Sequence, residues 1–89
     1  MKALLCKTLG EPEDLVIEEI ASPRPEGGEV RIQVHACGVN FPDVLMVQGK
    51  YQVKPELLFS PGLEVAGDIY EFGADVKEFT VGDRVLALT

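Results

Sequence analysis

The polar residues best spaced for a ligand site are Asn40, Asp43 and Glu64, each close to a glycine or a proline. Asn40 can cap a short helix, Pro42 suits its first turn, and Asp43 suits its positive end. Glu64 follows a Pro-Gly turn and begins a strand pattern. The carboxamide of Asn40 offers a donor and an acceptor to ribose or carbonyl groups. Polar groups held by turns at strand ends favour a ligand site, with helix capping as the alternative function of Asn40 and Asp43.

The sequence gives little support for metal binding or nucleophilic catalysis near these residues. A catalytic zinc site needs about three Cys, His or carboxylate ligands. His35, Cys37, Asp43 and Glu64 are nearby, but no second sulfur or imidazole accompanies them. A Cys37–His35 dyad is disfavoured because side chains at i and i+2 of a strand run parallel. His35 has a simpler interpretation as a solvated or hydrogen-bonded strand histidine, while a reactive or metal-binding role stays open for Cys37.

Composition limits the protein to a small globular class. The chain has 89 residues, 46% of them hydrophobic and 26% charged, which allows at most one domain with a modest core. A net charge of −7 argues against nucleic acid as a partner, because phosphate contacts need a basic face. No apolar run approaches the ~20 residues of a membrane span, and the start lacks a secretory signal. We therefore expect a cytoplasmic protein that does not enter a membrane, with Cys6 as a small core residue.

The clearest secondary-structure signal covers residues 29–37. Val30, Ile32, Val34 and Ala36 alternate with polar residues, which predicts a half-buried strand with these four side chains on its apolar face. His35 falls on the opposite face.

The remaining elements are short and separated by turns. Residues 42–48 predict a helix that Gly49 ends, and Gly67 predicts a bulge or close backbone approach within a strand at 64–72. In the loop at 50–61 we expect Tyr51 to be exposed and Leu57, Leu58 and Phe59 to pack inward. Further strands are predicted at residues 2–7, 15–20 and 85–88.

These elements predict a mainly β fold with five or six short strands and one short helix. Such a pattern favours an antiparallel barrel or sandwich over an α/β layer fold. No G-x-G-x-x-G motif follows a strand, and no Walker loop is present, so these residues alone cannot cradle a pyrophosphate.

Several sequence blocks occur in order along the chain and together carry a family resemblance. They are residues 34–43 (VHACGVNFPD), Gly49-x-Tyr51, residues 61–67 (PGLEVAG), Gly73-x-x-Val76 and residues 81–85 (VGDRV). These blocks resemble the N-terminal GroES-like catalytic domain of NADPH-dependent quinone oxidoreductases. That group is the zinc-free, zeta-crystallin-like branch of the medium-chain dehydrogenase/reductase superfamily.

The resemblance implies a fold and a set of site residues. Residues 1–89 would form part of one GroES-like, partly open β-barrel, and the Rossmann domain that binds most of the NADPH would be absent from this chain. Asn40 would act in catalysis, and Asn40, Asp43 and Tyr51 would contact the cofactor. Zinc is not expected, because Asn40 and Leu63 stand where zinc-dependent relatives have a cysteine and a histidine ligand. The role left for Glu64 is structural.

The same resemblance implies hydride transfer from NADPH to a quinone or another α,β-unsaturated carbonyl compound. Leu45 departs from the tyrosine that several quinone reductases carry there, so an enoyl- or acryloyl-CoA-type reductase remains an alternative. A GroES-like interaction module without catalysis is a second alternative. We expect the chain to be a piece of a longer protein, inactive alone, and to form a homo-oligomer or strand-exchanged assembly through its unpaired strand edges.

Overall fold

A computed structural model describes residues 1–89 and contains five β-strands and one α-helix. The strands form one two-stranded and one three-stranded sheet, and neither sheet closes on itself. The chain divides into two compact units, Met1–Ala21 with Val39–Leu63, and Ser22–Gly38 with Glu64–Thr89. The predicted mainly β fold with one short helix is confirmed.

The first unit contains a hairpin and the helix. Strand β1 (Lys2–Leu5) pairs antiparallel with β2 (Val16–Glu19), and a single 3-10 turn (Pro12–Asp14) lies between them. Helix α1 (Phe41–Gln48) ends at Gly49, whose φ of 73° is the left-handed conformation that glycine adopts without a steric penalty. The core of this unit consists of Leu5, Cys6, Met46 and Val47. The burial of Cys6 confirms its predicted role as a core residue.

The second unit is built on an antiparallel sheet in the order β3-β4-β5. The strands are β3 (Val30–Cys37), β4 (Glu64–Phe72) and β5 (Arg84–Leu88). A β-carbon on Gly67 would lie 2.1 Å from the carbonyl oxygen of Gln33, so the two strands approach closely there as predicted.

The predicted burial of β3 is only partly correct. Val30 and Ile32 are half-buried, but Val34 and Ala36 are exposed. A register irregularity between Val34 and Ala36 interrupts the regular alternation of faces. The register from Ile32 to Val34 is regular, so both side chains lie on one face, and that face is covered near Ile32 but not near Val34.

The loop at 50–61 also differs from the prediction. Leu57 and Leu58 are exposed, whereas Phe59 is half-buried and pairs with Cys6 in an isolated antiparallel bridge. Tyr51 was expected to be exposed and is instead half-buried. The bridge uses the backbone of Phe59, with N···O distances of 2.8 and 3.3 Å, and this fixes which part of the loop reaches the core.

Candidate functional site

The amino end of α1 brings Asn40 and Asp43 together. Asn40 is the N-cap, with extended φ and ψ of −126° and 164°, and is exposed. Its backbone N–H donates to Oδ2 of Asp43 at 2.8 Å, and its backbone carbonyl oxygen accepts from the Asp43 backbone N–H at 3.0 Å. Asp43 lies at the third helical position, where a carboxylate that reaches back to the N-cap forms half of a capping box. The first helical turn and this hydrogen bond together fix the backbone of Asn40.

Asp43 is the one charged residue that is buried, with 6% of its surface exposed. Oδ2 is used by Asn40, while Oδ1 is buried and has no hydrogen-bond partner. A buried acceptor without a partner costs free energy, and such atoms are rare in native proteins. The positive end of the helix dipole offsets part of the cost of burying this carboxylate.

Tyr51 lies beyond the other end of the helix. After Gly49, the N–H of Lys50 donates to the carbonyl oxygen of Leu45 at 2.8 Å, and the chain then passes along a cavity of about 460 Å³. Tyr51 lines this cavity. The full lining comprises Leu9, Met46, Gly49, Tyr51, Val53, Lys54, Pro55, Glu56 and Leu57.

The three predicted site residues therefore occupy two places in the first unit. Asn40 and Asp43 are joined by a hydrogen bond at the helix N-terminus. Tyr51 lines the cavity, and neither Asn40 nor Asp43 is among the residues that line it. The sequence predicted these three residues as one site and did not predict that they would lie in two places.

In the second unit His35 and Cys37 have separate partners. Nε2 of His35 lies 2.9 Å from Oδ2 of Asp68, so this histidine has a carboxylate partner on the neighbouring strand. Cys37 is exposed and pairs in the sheet with Val65. These contacts agree with the simpler interpretation of His35 as a hydrogen-bonded strand histidine.

Glu64 packs against Gly38 in the same unit. A β-carbon on Gly38 would lie 2.0 Å from Oε1 of Glu64, so the glycine leaves the space that this carboxylate occupies. No three His, Cys, Asp or Glu side chains lie close enough together to hold a metal ion.

Sequence reasoning missed two features of the structure. It did not identify Asp68 as the partner of His35, which lies 33 residues away and is brought close only by the pairing of β3 with β4. It also missed the cavity-lining residues Leu9, Met46 and Val53, although the apolar residues of the loop at 50–61 were a partial signal.

Comparison with known proteins places the chain in a family. The model of the alcohol dehydrogenase GroES-like domain family matches residues 26–89. The chain is 49% identical to quinone oxidoreductase-like protein 2 of Mus musculus over 89 residues, which are 99% of this chain and 25% of the mouse protein. It thus spans about a quarter of the length of the curated relatives it matches.

Solved structures agree with this assignment. Quinone oxidoreductase of Escherichia coli complexed with NADPH superposes with a TM-score of 0.93 at 31% identity, over 100% of this chain and 27% of that chain. The human synaptic vesicle membrane protein VAT-1 homolog-like protein gives a TM-score of 0.93 at 36% identity, over 99% and 28%. No helix of this chain reaches the length and hydropathy of a membrane span. The chain belongs to the alcohol dehydrogenase GroES-like domain family and is similar to its quinone oxidoreductases.

Proposed function

We propose that this chain is part of the catalytic domain of an NADPH-dependent oxidoreductase that reduces quinones without zinc. The observation that carries the proposal is the exposed Asn40, whose backbone is fixed at the N-terminus of α1 by the buried Asp43. Support comes from relatives named quinone oxidoreductase and from the similar E. coli enzyme, whose structure contains NADPH.

The proposed chemistry follows from what a carboxamide carried on a fixed backbone can do. NADPH, when bound, would supply the hydride, and negative charge would develop on the carbonyl oxygen of the quinone. A fixed hydrogen-bond donor at that oxygen stabilises the transition state, because it needs no reorganisation during the reaction. A carboxamide has two N–H donors and one carbonyl acceptor, so Asn40 can both cap a helix and bind a ligand.

Asp43 and Tyr51 have different roles in this proposal. Asp43 is too buried to contact much of a ligand, and we assign it to positioning Asn40 through their 2.8 Å hydrogen bond. Tyr51 lines the cavity, and we assign it to binding a ring of the cofactor or substrate. Zinc is not part of this proposal, because an amide (Asn40) and an aliphatic side chain (Leu63) stand where zinc-dependent relatives have ligands.

The proposal extends to the longer protein. Residues 1–89 would be part of one GroES-like domain, and most of the NADPH would bind to a Rossmann domain, because this chain has no G-x-G-x-x-G motif. A cytoplasmic location is consistent with two cysteines that are not joined in a disulfide. A homo-oligomer is part of the same proposal.

The proposal is tested by NADPH oxidation in a full-length protein that carries this chain. With a quinone as acceptor, we expect turnover that a metal chelator does not reduce. Asn40→Ala should lower kcat about 10²-fold, the effect of removing one transition-state donor. Gln52→Ala removes an exposed carboxamide that does not line the cavity and should leave the rate unchanged.

Three results would contradict parts of this proposal. Turnover with enones but not with quinones would reassign the substrate to the enoyl reductase alternative. Loss of activity on addition of a metal chelator would contradict the proposal that the reaction does not need zinc. Equal kcat values for Asn40→Ala and Gln52→Ala would reduce Asn40 to a helix cap.

A further inference from the structure

A second cavity lies on the sheet of the second unit. Its volume is about 470 Å³, within the ~300–1,000 Å³ range of small-molecule sites. The cavity beside Tyr51 is lined only by residues of the first unit, whereas this one is lined only by residues of the second. Its lining comprises His35, Ala66, Gly67, Asp68, Arg84, Val85 and Leu86. None of these residues takes part in the proposed reaction.

Small residues on the central strand form the floor of this sheet cavity. Ala66 of β4 pairs with Ala36 of β3 on one side and with Leu86 of β5 on the other. Residues that lie directly opposite each other in antiparallel strands project from the same face of the sheet. The two alanines therefore leave a recess beside the longer side chain of Leu86.

One end of the recess carries a cation that is available to a ligand. Asp68 lies directly opposite Arg84 in the pairing of β4 with β5. Oδ2 of Asp68, however, lies 2.9 Å from Nε2 of His35, on the other side of β4. The Arg84 guanidinium makes no hydrogen bond or ion pair within the protein, so its donors can bind an acceptor from outside.

The charges at this end favour a ligand with a single negative charge. The charges of Asp68 and Arg84 cancel, and His35 adds one positive charge only when it is protonated. The cluster therefore has at most one net positive charge, which a carboxylate balances and a phosphate dianion exceeds. A guanidinium also matches a carboxylate geometrically, because two of its N–H groups can donate to the two oxygens in parallel.

The recess is apolar away from Arg84. Arg84, Leu86 and Leu88 alternate with less exposed residues on β5, so their side chains form a row on one face. Leu86 and Leu88 are 86% and 85% exposed, and they lie about 7 and 14 Å from Arg84 along the strand. Glu64 pairs with Leu88, so a carboxylate at the far end of the row repels an anionic head group and directs it toward Arg84.

We propose that this sheet cavity binds a medium-chain aliphatic monocarboxylate. The carboxylate pairs with Arg84, and the alkyl chain crosses the alanine recess and covers Leu86. Burial of the alkyl chain against Leu86 supplies the apolar part of the affinity, and the guanidinium supplies the choice of charge. The site lies in the second unit and does not depend on the proposed oxidoreductase function.

Titration of the 89-residue chain with octanoate, kept below its micelle-forming concentration and followed by amide NMR, tests the inference. We expect saturable shifts of the Ala66, Arg84 and Leu86 amides and no shift of the Tyr51 amide. Butanoate should bind about tenfold more weakly, because its shorter chain buries less apolar surface. Octylammonium has the wrong charge and inorganic phosphate has no apolar chain, so neither should bind saturably at the same concentrations.

Two matched pairs of variants separate the charged contact from the apolar one. Arg84→Gln should weaken octanoate binding at least about tenfold, whereas Arg24→Gln should not, because Arg24 is an exposed arginine outside the cavity. Leu86→Ala should weaken binding about threefold. Ile17→Ala shortens another exposed strand side chain, in the first unit, and should have no effect. Circular dichroism spectra of all four variants should match that of the parent chain.

Several outcomes would overturn the inference. They are the absence of saturable octanoate binding, shifts confined to the first unit, and equal effects of Arg84→Gln and Arg24→Gln. Binding of octylammonium as tight as that of octanoate would show that the alkyl chain alone is recognised. Binding of phosphate as tight as that of octanoate, or equal affinities for butanoate and octanoate, would show that the charge alone is recognised. Either result would refute a site for an aliphatic monocarboxylate.

Discussion

The carboxylate of Asp43 accepts a hydrogen bond from the backbone N–H of Asn40 at 2.8 Å, and the two residues differ sharply in exposure. Asn40 is exposed, whereas Asp43 is 6% exposed. The residue proposed to act on a ligand is therefore held by one that is shielded from solvent. A second oxygen of Asp43 is buried without a partner, so part of the stability gained from the cap is offset at this position.

Replacing Asp43 by alanine should destabilise the chain. The substitution removes the hydrogen bond to Asn40 and a carboxylate at the positive end of α1, and we expect a loss of about 1–2 kcal/mol in the free energy of unfolding. Urea denaturation followed by circular dichroism measures this. Asp83→Ala is the matched control, because Oδ2 of Asp83 accepts the Thr80 N–H at 2.9 Å in an exposed turn. An equal loss of unfolding free energy in both variants would show that the burial of Asp43 adds nothing to stability.

Gly67→Ala should be the more damaging of two glycine substitutions. Its β-carbon would lie 2.1 Å from the backbone oxygen of Gln33, so β3 and β4 would have to separate, at a cost of about 3 kcal/mol. Gly28→Ala is the control, since no atom lies within 4 Å of its added β-carbon. Thermal denaturation of both variants tests this, and a normal melting temperature for Gly67→Ala would contradict the close approach of the strands.

The 89-residue chain should self-associate at micromolar concentration. In the order β3-β4-β5, the outer side of β5 has no strand partner, and Leu86 on this strand is 86% exposed. A lysine on an edge strand opposes edge-to-edge pairing, so Leu86→Lys should shift the chain toward monomer. Val39→Lys changes a residue of similar exposure (83%) outside the strands and should have little effect. Size-exclusion chromatography with light scattering measures the mass, and a stable parent monomer would contradict the prediction.

The two thiols should differ in reactivity. Cys37 is exposed, whereas Cys6 is 1% exposed and donates through Sγ to the carbonyl oxygen of Thr8 at 3.3 Å. A thiol reagent should therefore modify Cys37 rapidly and Cys6 only as fast as the first unit opens. Cys37→Ser should remove the fast phase and leave the slow one. Two fast phases in the parent chain would show that the core around Cys6 opens readily.

Local sequence was sufficient to predict most of the elements. Asn40, Pro42 and Gly49 determine the limits of α1 through interactions within a few residues, and the alternation at 29–37 identified β3. Gly67 predicted a close approach between two backbones, because only a residue without a β-carbon leaves room for it. The family resemblance was also carried by short blocks of sequence, and the family match confirms it.

Tertiary structure alone decided which of these residues are buried and which meet. His35 contacts Asp68 and Cys6 pairs with Phe59 because residues far apart in the chain come together, and the burial of Tyr51 and the exposure of Leu57 were likewise not predicted. The alternation in β3 identified its two faces, but no periodicity in one strand reveals how its partner is aligned or which part of a face is covered. Short-range propensity therefore determined the elements, whereas long-range pairing determined burial and the shape of the candidate site.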